Sequence, residues 1–256
     1  PLIIICIISV LIVIKLLIKK LKIPTRMAYL ISIGSTVCGT TAIMATAPVI
    51  KANKNEVSYA IANITLFGIL SMLLYPYFAN FYFDNQPLLI GLFLGTSIHE
   101  TSQVAAAGLI YEQQFNSPET LNIATVTKLI RNTFLIVMIP LFAFLYNRGK
   151  TNKKEYSILN IFPYFVLGFI GMIIIRNIGD QVFISNSNYN WIETINIIKF
   201  LSKIFLTMAM AAIGLSTNLK DIKRMGYKPF IVGFIAMLTV GIVCIITIES
   251  YLKFFI

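Results

Sequence analysis

His99 and Glu100 stand side by side in the run Gly95-Thr96-Ser97-Ile98-His99-Glu100-Thr101-Ser102-Gln103, inside a stretch otherwise apolar from about Pro87 to Tyr111. Ionisable groups in a hydrophobic span are costly, so an imidazole beside a carboxyl there reads as an ion or substrate site. Glu100 could take up a coupling proton or pair with a cation. His99 could carry a proton or donate a hydrogen bond to a solute, or bridge two helices as a satisfied polar group. Lys128 and Arg131 are spaced to share one helix face within the apolar stretch from about Leu121 to Tyr146. Two cations on such a face require anions, either protein carboxylates or a substrate. Lys199 and Lys203 also share a face, but sit near a segment end where they can reach the interface.

A second hydroxyl-rich run, Gly34-Ser35-Thr36-Val37-Cys38-Gly39-Thr40-Thr41, interrupts the apolar stretch from about Thr25 to Ile50. Glycines permit a break, and freed backbone groups are tolerated in hydrocarbon only against protein or a wet cavity. A pair of glycine-interrupted segments points to a transporter binding site. The second half-helices, beginning near Thr40 and Ser102, would aim N–H groups and positive dipole ends at a solute. The candidate substrate-binding residues are Ser35, Thr36, Cys38, Gly39, Thr40, Thr41, Thr96, Ser97, His99, Glu100, Thr101, Gln103, Lys128 and Arg131. Close packing of small and hydroxyl residues, continued by Ala105-Ala106-Ala107-Gly108, is the plainer reading of the same runs.

Other chemistry is excluded. One His and three Cys cannot assemble a zinc-type ligand set, so no metal site and no cofactor are expected. Cys38 with His99 is the one nominal Cys/His pair, and no orienting third group accompanies it, so the chain is not read as an enzyme. No phosphate-binding Gly-rich loop of the form Gly-x4-Gly-Lys-Ser/Thr is present, so ATP does not drive it directly. The net charge of +11 does not indicate nucleic acid, because the basic residues cluster between apolar runs as topology signals do.

The elements that position these residues are helices in a bilayer. Hydrophobic residues make up 57% of the chain and charged residues 12%, more apolar surface than a soluble chain of 256 residues can bury. About eight stretches approach bilayer-spanning length: near Pro1–Leu17, Thr25–Ile50, Val57–Tyr77, Pro87–Tyr111, Leu121–Tyr146, Ile158–Ile175, Ile195–Leu215 and Pro229–Tyr251. The fold expected is an all-α polytopic membrane protein, residues 1–256 forming one transmembrane domain with two segments broken in mid-membrane. Strict alternation places twelve basic residues on one side: Lys19, Lys20, Lys22, Arg26, Arg148, Lys150, Lys153, Lys154, Lys220, Lys223, Arg224 and Lys228. Lys51, Lys54, Arg176 and Lys253 fall on the other, which makes the first side cytoplasmic. The loop at Asp84 fits poorly, being assigned to the basic side without a Lys or Arg; a hairpin in the second or fourth segment would change this register. The start at Pro1, already apolar and without Met, predicts a fragment, or a chain lacking its true N-terminus.

The first hydroxyl run, continued by Ala42-Ile43, resembles the Gly-Thr-Ser-Ile-Cys-Gly-x-Ser-Ala-Ile signature of the YeiH family, the UPF0324 group of bacterial membrane proteins labelled sulfate exporters. The resemblance continues through Ala47-Pro48-Val49-Ile50, Leu66-Phe67-Gly68, Tyr75-Pro76, Gly95–Glu100, Gln103-Val104, Lys128-Leu129-Ile130-Arg131 and Ala212–Thr217. Ser35-Thr36 inverts the usual Thr-Ser, and Thr41 replaces Ser. The resemblance implies a fold related to cation:proton antiporters and bile-acid-type symporters, with inverted repeats and crossing broken helices, in a bacterial inner membrane. It implies ion-coupled secondary transport of an anion such as sulfate, sulfite or a sulfonate, with H+ or Na+ as coupling ion. With one span between them, however, the two broken segments would run parallel rather than inverted. A cation/proton antiporter using Glu100 and His99 is the alternative, and a non-transporting membrane protein the third reading. Substrate, direction and oligomeric state, a homo-oligomer included, stay open.

Overall fold

A computed structural model of the chain describes residues 2–147, 164–184, 189–216 and 227–255. The described residues are mostly helical, and they divide into two compact units, Pro1–Ile161 with Asn218–Ile256, and Phe162–Thr217. The loops at Arg148–Lys154 and Lys220–Arg224, which carry much of the orientation argument, lie outside the described residues.

The first unit holds α1 (Leu2–Leu21), α2 (Thr25–Thr36), α3 (Gly39–Thr46), α4 (Lys54–Tyr82), α5 (Pro87–Ser97), α6 (Thr101–Phe115), α7 (Pro118–Thr133), α8 (Leu135–Asn147) and α11 (Tyr227–Phe255). Local chemistry sets several ends. Asn53 and Glu56 form a reciprocal capping box at the start of α4. Pro87 and Pro118 open α5 and α7, where the missing N–H costs nothing. Asn116, left-handed at φ 54°, closes α6. Among the described residues, four stretches are long and apolar enough to cross a membrane: Leu2–Leu21, Lys54–Tyr82, Pro118–Tyr146 and Tyr227–Tyr251. They match the first, third, fifth and eighth expected segments.

The second and fourth segments do not continue through their breaks; both fold back. Gly91 of α5 and Gly108 of α6 lie at the same level of α7, against Thr120–Ile123 and Leu121 respectively, while the far end of α6 meets α7 again where Asn132 Nδ2 donates to Thr101 Oγ1 at 3.1 Å. Thus α5 and α6 form a hairpin whose two open ends sit at the Tyr82 end of α4, where Tyr111 Oη donates to Asn80. The pair α2–α3 does the same from the opposite end. Arg131 reaches Thr36 and the Tyr29 ring meets Phe142, so α2 runs antiparallel to α7–α8. Ala42 of α3 and Cys38 just before it share a buried cluster with Leu135, Met138 and Ile139, which returns α3 along α8. Of the two alternatives, crossing and hairpin, the structure has the hairpin: each segment turns back at its break, and the tips meet beside the middle of α4.

This geometry removes two difficulties. A hairpin followed by a long helix occurs twice, as α2–α3–α4 and α5–α6–α7–α8, in opposite directions. The broken segments are then inverted, not parallel. Lys51 and Lys54 also move to the end carrying Lys19–Arg26 and Lys228, while Asp84 moves to the other end, where Glu119 also lies. The loop at Asp84 no longer needs basic residues.

The second unit contains α9 (Tyr164–Gly179), a π-helical turn (Asp180–Ile184) and α10 (Tyr189–Ser216). Arg176 Nε pairs with Asp180 Oδ2 at 2.7 Å, the one ion pair among the described residues, and Trp191 Nε1 donates to Asp180 Oδ1 at 2.9 Å. Lys199 is exposed on α10.

Candidate functional site

Two inbound helices, α2 and α5, end at the tips with their last carbonyls unpaired by the helix itself. One helix face answers both. Lys128 Nζ donates to Val37 O at 3.2 Å, Ile98 O at 2.8 Å and His99 O at 2.5 Å, which uses all three of its protons. Arg131 Nε donates to Thr36 O at 3.0 Å, Nη2 to Ser35 O at 2.9 Å and Thr36 O at 2.8 Å, and Nη1 to Thr96 O. Both cations are fully buried, at 0% and 1% exposure. Cations suit the negative ends of helices, and here they replace the hydrogen bonds that an unbroken helix would have made. The expected partners for these two charges were carboxylates or a substrate. The first partners are instead backbone carbonyls.

The outbound helices, α3 and α6, begin at the same place. Glu100 precedes α6, yet its side chain turns to the start of α3: Thr40 N donates to Glu100 Oε1 at 3.3 Å, and Thr65 Oγ1 of α4 donates to the same oxygen at 3.5 Å. Gly39 allows the approach. Its φ is +49°, and a Cβ there would lie 2.5 Å from Glu100 Cγ. Cys38 Sγ lies 4.0 Å from Thr101 Oγ1, so the two helix starts adjoin.

Several buried polar atoms at the tips have no hydrogen-bond partner among the described residues: Glu100 Oε2, both His99 ring nitrogens, Ser35 Oγ and Gln103 Oε1. In a stable interior such groups are normally paired. Gln103 Nε2 donates to Thr65 O at 3.2 Å, and its side chain fills the space that a Cβ on Gly68 would need.

The structure thus gathers Ser35, Cys38, Gly39, Thr40, Thr96, His99, Glu100, Thr101, Gln103, Lys128 and Arg131. The side chains of three candidates contribute less. Thr36 and Ser97 donate their hydroxyls to carbonyls of their own helices, Ser32 at 2.8 Å and Phe93 at 2.6 Å, and Thr41 is exposed on α3. Thr65 and Asn132 join the site without having been singled out. The signal for Thr65 was a polar interruption, Asn63-Ile64-Thr65 with Gly68, in an apolar helix; Asn132 adjoins Arg131 in sequence.

Comparison with known proteins supplies the family context. Residues 1–233 match the family described as conserved hypothetical protein 698. A UPF0324 membrane protein of Fusobacterium nucleatum is 36% identical over 253 residues, covering 96% of this chain and 72% of the relative. One from Streptococcus agalactiae is 37% identical over 243 residues, 94% and 70% of the two chains. One from Clostridium tetani is 31% identical over 239 residues, 88% and 65%. No solved structure matches.

Proposed function

The chain belongs to the UPF0324 family of membrane proteins, and we propose that it is an ion-coupled secondary transporter that binds a small anion between the tips of its two inverted hairpins. The observation that carries this reading is the charge at the tips. Lys128 and Arg131 bring two positive charges and Glu100 one negative. Taking about half an elementary charge per helix end, α2 and α5 offset one positive charge and α3 and α6 restore one. With His99 neutral, about one positive charge remains in a site shut from water, and an unbalanced buried charge is costly. A small anion at the starts of α3 and α6 balances it.

Glu100 is the coupling group in this reading. Its Oε1 is held by Thr40 and Thr65, while its unpartnered Oε2 is open to a proton or to Na+. The paired, inverted hairpin-and-helix units support a kinship with inverted-repeat transporters, in which discontinuous helices build the site near mid-membrane. The end bearing Lys19–Arg26, Lys51, Lys54 and Lys228 faces the cytoplasm, as the basic bias favours. The membrane is the bacterial inner membrane, and sulfate, sulfite and sulfonates are the anions to try first.

Thermal shift of purified protein against inorganic anions, sulfonates and carboxylates tests the reading, because a ligand of the folded state raises its apparent stability. Stabilisation by at least one small anion is expected. A panel in which only cations stabilise contradicts it and favours the second reading, cation/proton exchange at Glu100 and His99. That reading has one observation of its own: Lys128 spends every proton on main-chain carbonyls and offers none to a solute.

A further inference from the structure

Away from the hairpin tips, a half-open cavity of about 340 Å³ lies between α1, α2 and α8. Its walls are apolar, with Leu11 and Ile18 from α1, Ala28 from α2, and Phe142 and Leu145 from α8. Such an apolar groove between membrane helices would need no explanation but for one residue. Lys15 lines it, exposed, between Leu11 and Ile18 on the same α1 stripe. A lone ammonium in an apolar groove is tolerated when it snorkels to the interface or meets an anion.

The groove leads toward the basic end of the unit. Lys19 follows Lys15 by one turn, about 6 Å along the helix, and Lys20, Lys22 and Arg26 complete the cluster. The acid that meets this cluster is Glu56, which lines the same crevice as Lys22 and attracts Arg26, so one carboxylate is set against Lys15, Lys19, Lys20, Lys22 and Arg26 and the excess stays positive. Glu56 itself accepts from Asn53 N in the α4 capping box. Arg26 Nε donates to Tyr146 Oη at 3.2 Å, which ties α2 to α8 at the mouth of the groove. The hydroxyls of Thr25 and Ser32 also line the cavity.

We infer that this groove holds an anionic phospholipid, with one acyl chain along Leu11, Ala28 and Phe142 and the phosphate paired with Lys15 beside the Lys19–Arg26 cluster. Both halves of the ligand are required by the lining. An acyl chain alone leaves Lys15 unmet, and a free phosphate leaves the apolar wall wet. Basic pockets between membrane helices bind acidic head groups in this way, each nearby Lys or Arg adding to the attraction.

The test is native mass spectrometry of the full-length protein released from vesicles of phosphatidylcholine mixed with phosphatidylglycerol. Phosphatidylglycerol is expected to be retained on the protein in preference to phosphatidylcholine. Lys15→Gln should lower that retention about fivefold, the worth of one basic residue at an anionic surface. Ala28→Leu fills the groove and should displace both lipids while Lys15 stays. Unfolding temperature in detergent without added lipid serves as the folding control, and Lys15→Arg, which keeps the charge, should retain the lipid. Equal retention of the two lipids overturns the inference, as does retention unchanged in Lys15→Gln, or a groove found covered by a second copy or by another segment of the full-length chain.

Discussion

The backbone N–H of Thr40 donates to Glu100 Oε1 over 3.3 Å, so the one buried carboxylate among the described residues occupies the start of a helix in the opposite hairpin. The contact joins the two inverted halves at their tips. It depends on Gly39, whose missing side chain leaves room for Glu100 Cγ.

Gly39→Ala is therefore expected to destabilise the protein, through its φ of +49° and through collision with Glu100. The left-handed strain alone costs about 1–3 kcal/mol. Glu100→Ala should relieve the collision but not the strain, so the two changes combine with less than additive cost in a double-mutant cycle of detergent unfolding. Strict additivity would show that the tips do not touch.

Arg131→Gln is expected to cost stability before it affects any solute, because Arg131 holds the ends of α2 and α5 together through Ser35, Thr36 and Thr96. Each buried carbonyl left without its donor costs about 1–3 kcal/mol. Arg131→Lys should recover only part, since an ammonium cannot span the same carbonyls as a planar fork. An unfolding temperature for Arg131→Gln equal to that of the unaltered protein would contradict this assignment.

How much of this was legible in the sequence follows from where the information lies. Hydropathy located the helices, and the glycine- and hydroxyl-rich runs located both breaks, because a polar run in an apolar segment must be buried against protein. The turn-back at each break was not legible. Whether a chain continues or reverses after two or three non-helical residues depends on contacts with α7 and α8, which are distant in sequence. One sign was present: Gly34-Ser35-Thr36-Val37-Cys38-Gly39-Thr40-Thr41 parallels Gly95-Thr96-Ser97-Ile98-His99-Glu100-Thr101-Ser102 position by position. In that register Gly39 corresponds to Glu100, the pair that meets in the structure. The carbonyl partners of Lys128 and Arg131 were likewise invisible, since a backbone acceptor leaves no mark on residue type.

Single-cysteine labelling on a background without Cys6, Cys38 and Cys244 checks the hairpins directly. Probes replacing Lys22 and Lys51 should react from the same side of the membrane, and probes replacing Asp84 and Asn116 from the other. Segments that cross would place Lys22 and Lys51 on opposite sides.

The second unit carries a pH-sensitive contact with a built-in reporter. Arg176 first, and then the Trp191 N–H, hold the Asp180 carboxyl below its ordinary range. A depressed folded value means that the stabilisation is complete above the ordinary carboxylate value, about pH 4, and is lost as pH falls through the depressed one. Trp191 is the sole tryptophan in the chain. Its emission should be constant from about pH 8 to pH 5 and change only below about pH 4; Asp180→Asn should abolish the change. A transition near neutrality that survives Asp180→Asn would detach the signal from this contact.

The most direct test of the transport account is solute flux in proteoliposomes of the full-length protein, measured with sulfate, sulfite and a small sulfonate under an imposed proton or sodium gradient. The account predicts that at least one of these anions moves in response to the gradient, and that Glu100→Gln removes the response while leaving the protein inserted and folded. Flux of a cation that depends on Glu100, with no movement of any anion tested, would contradict it.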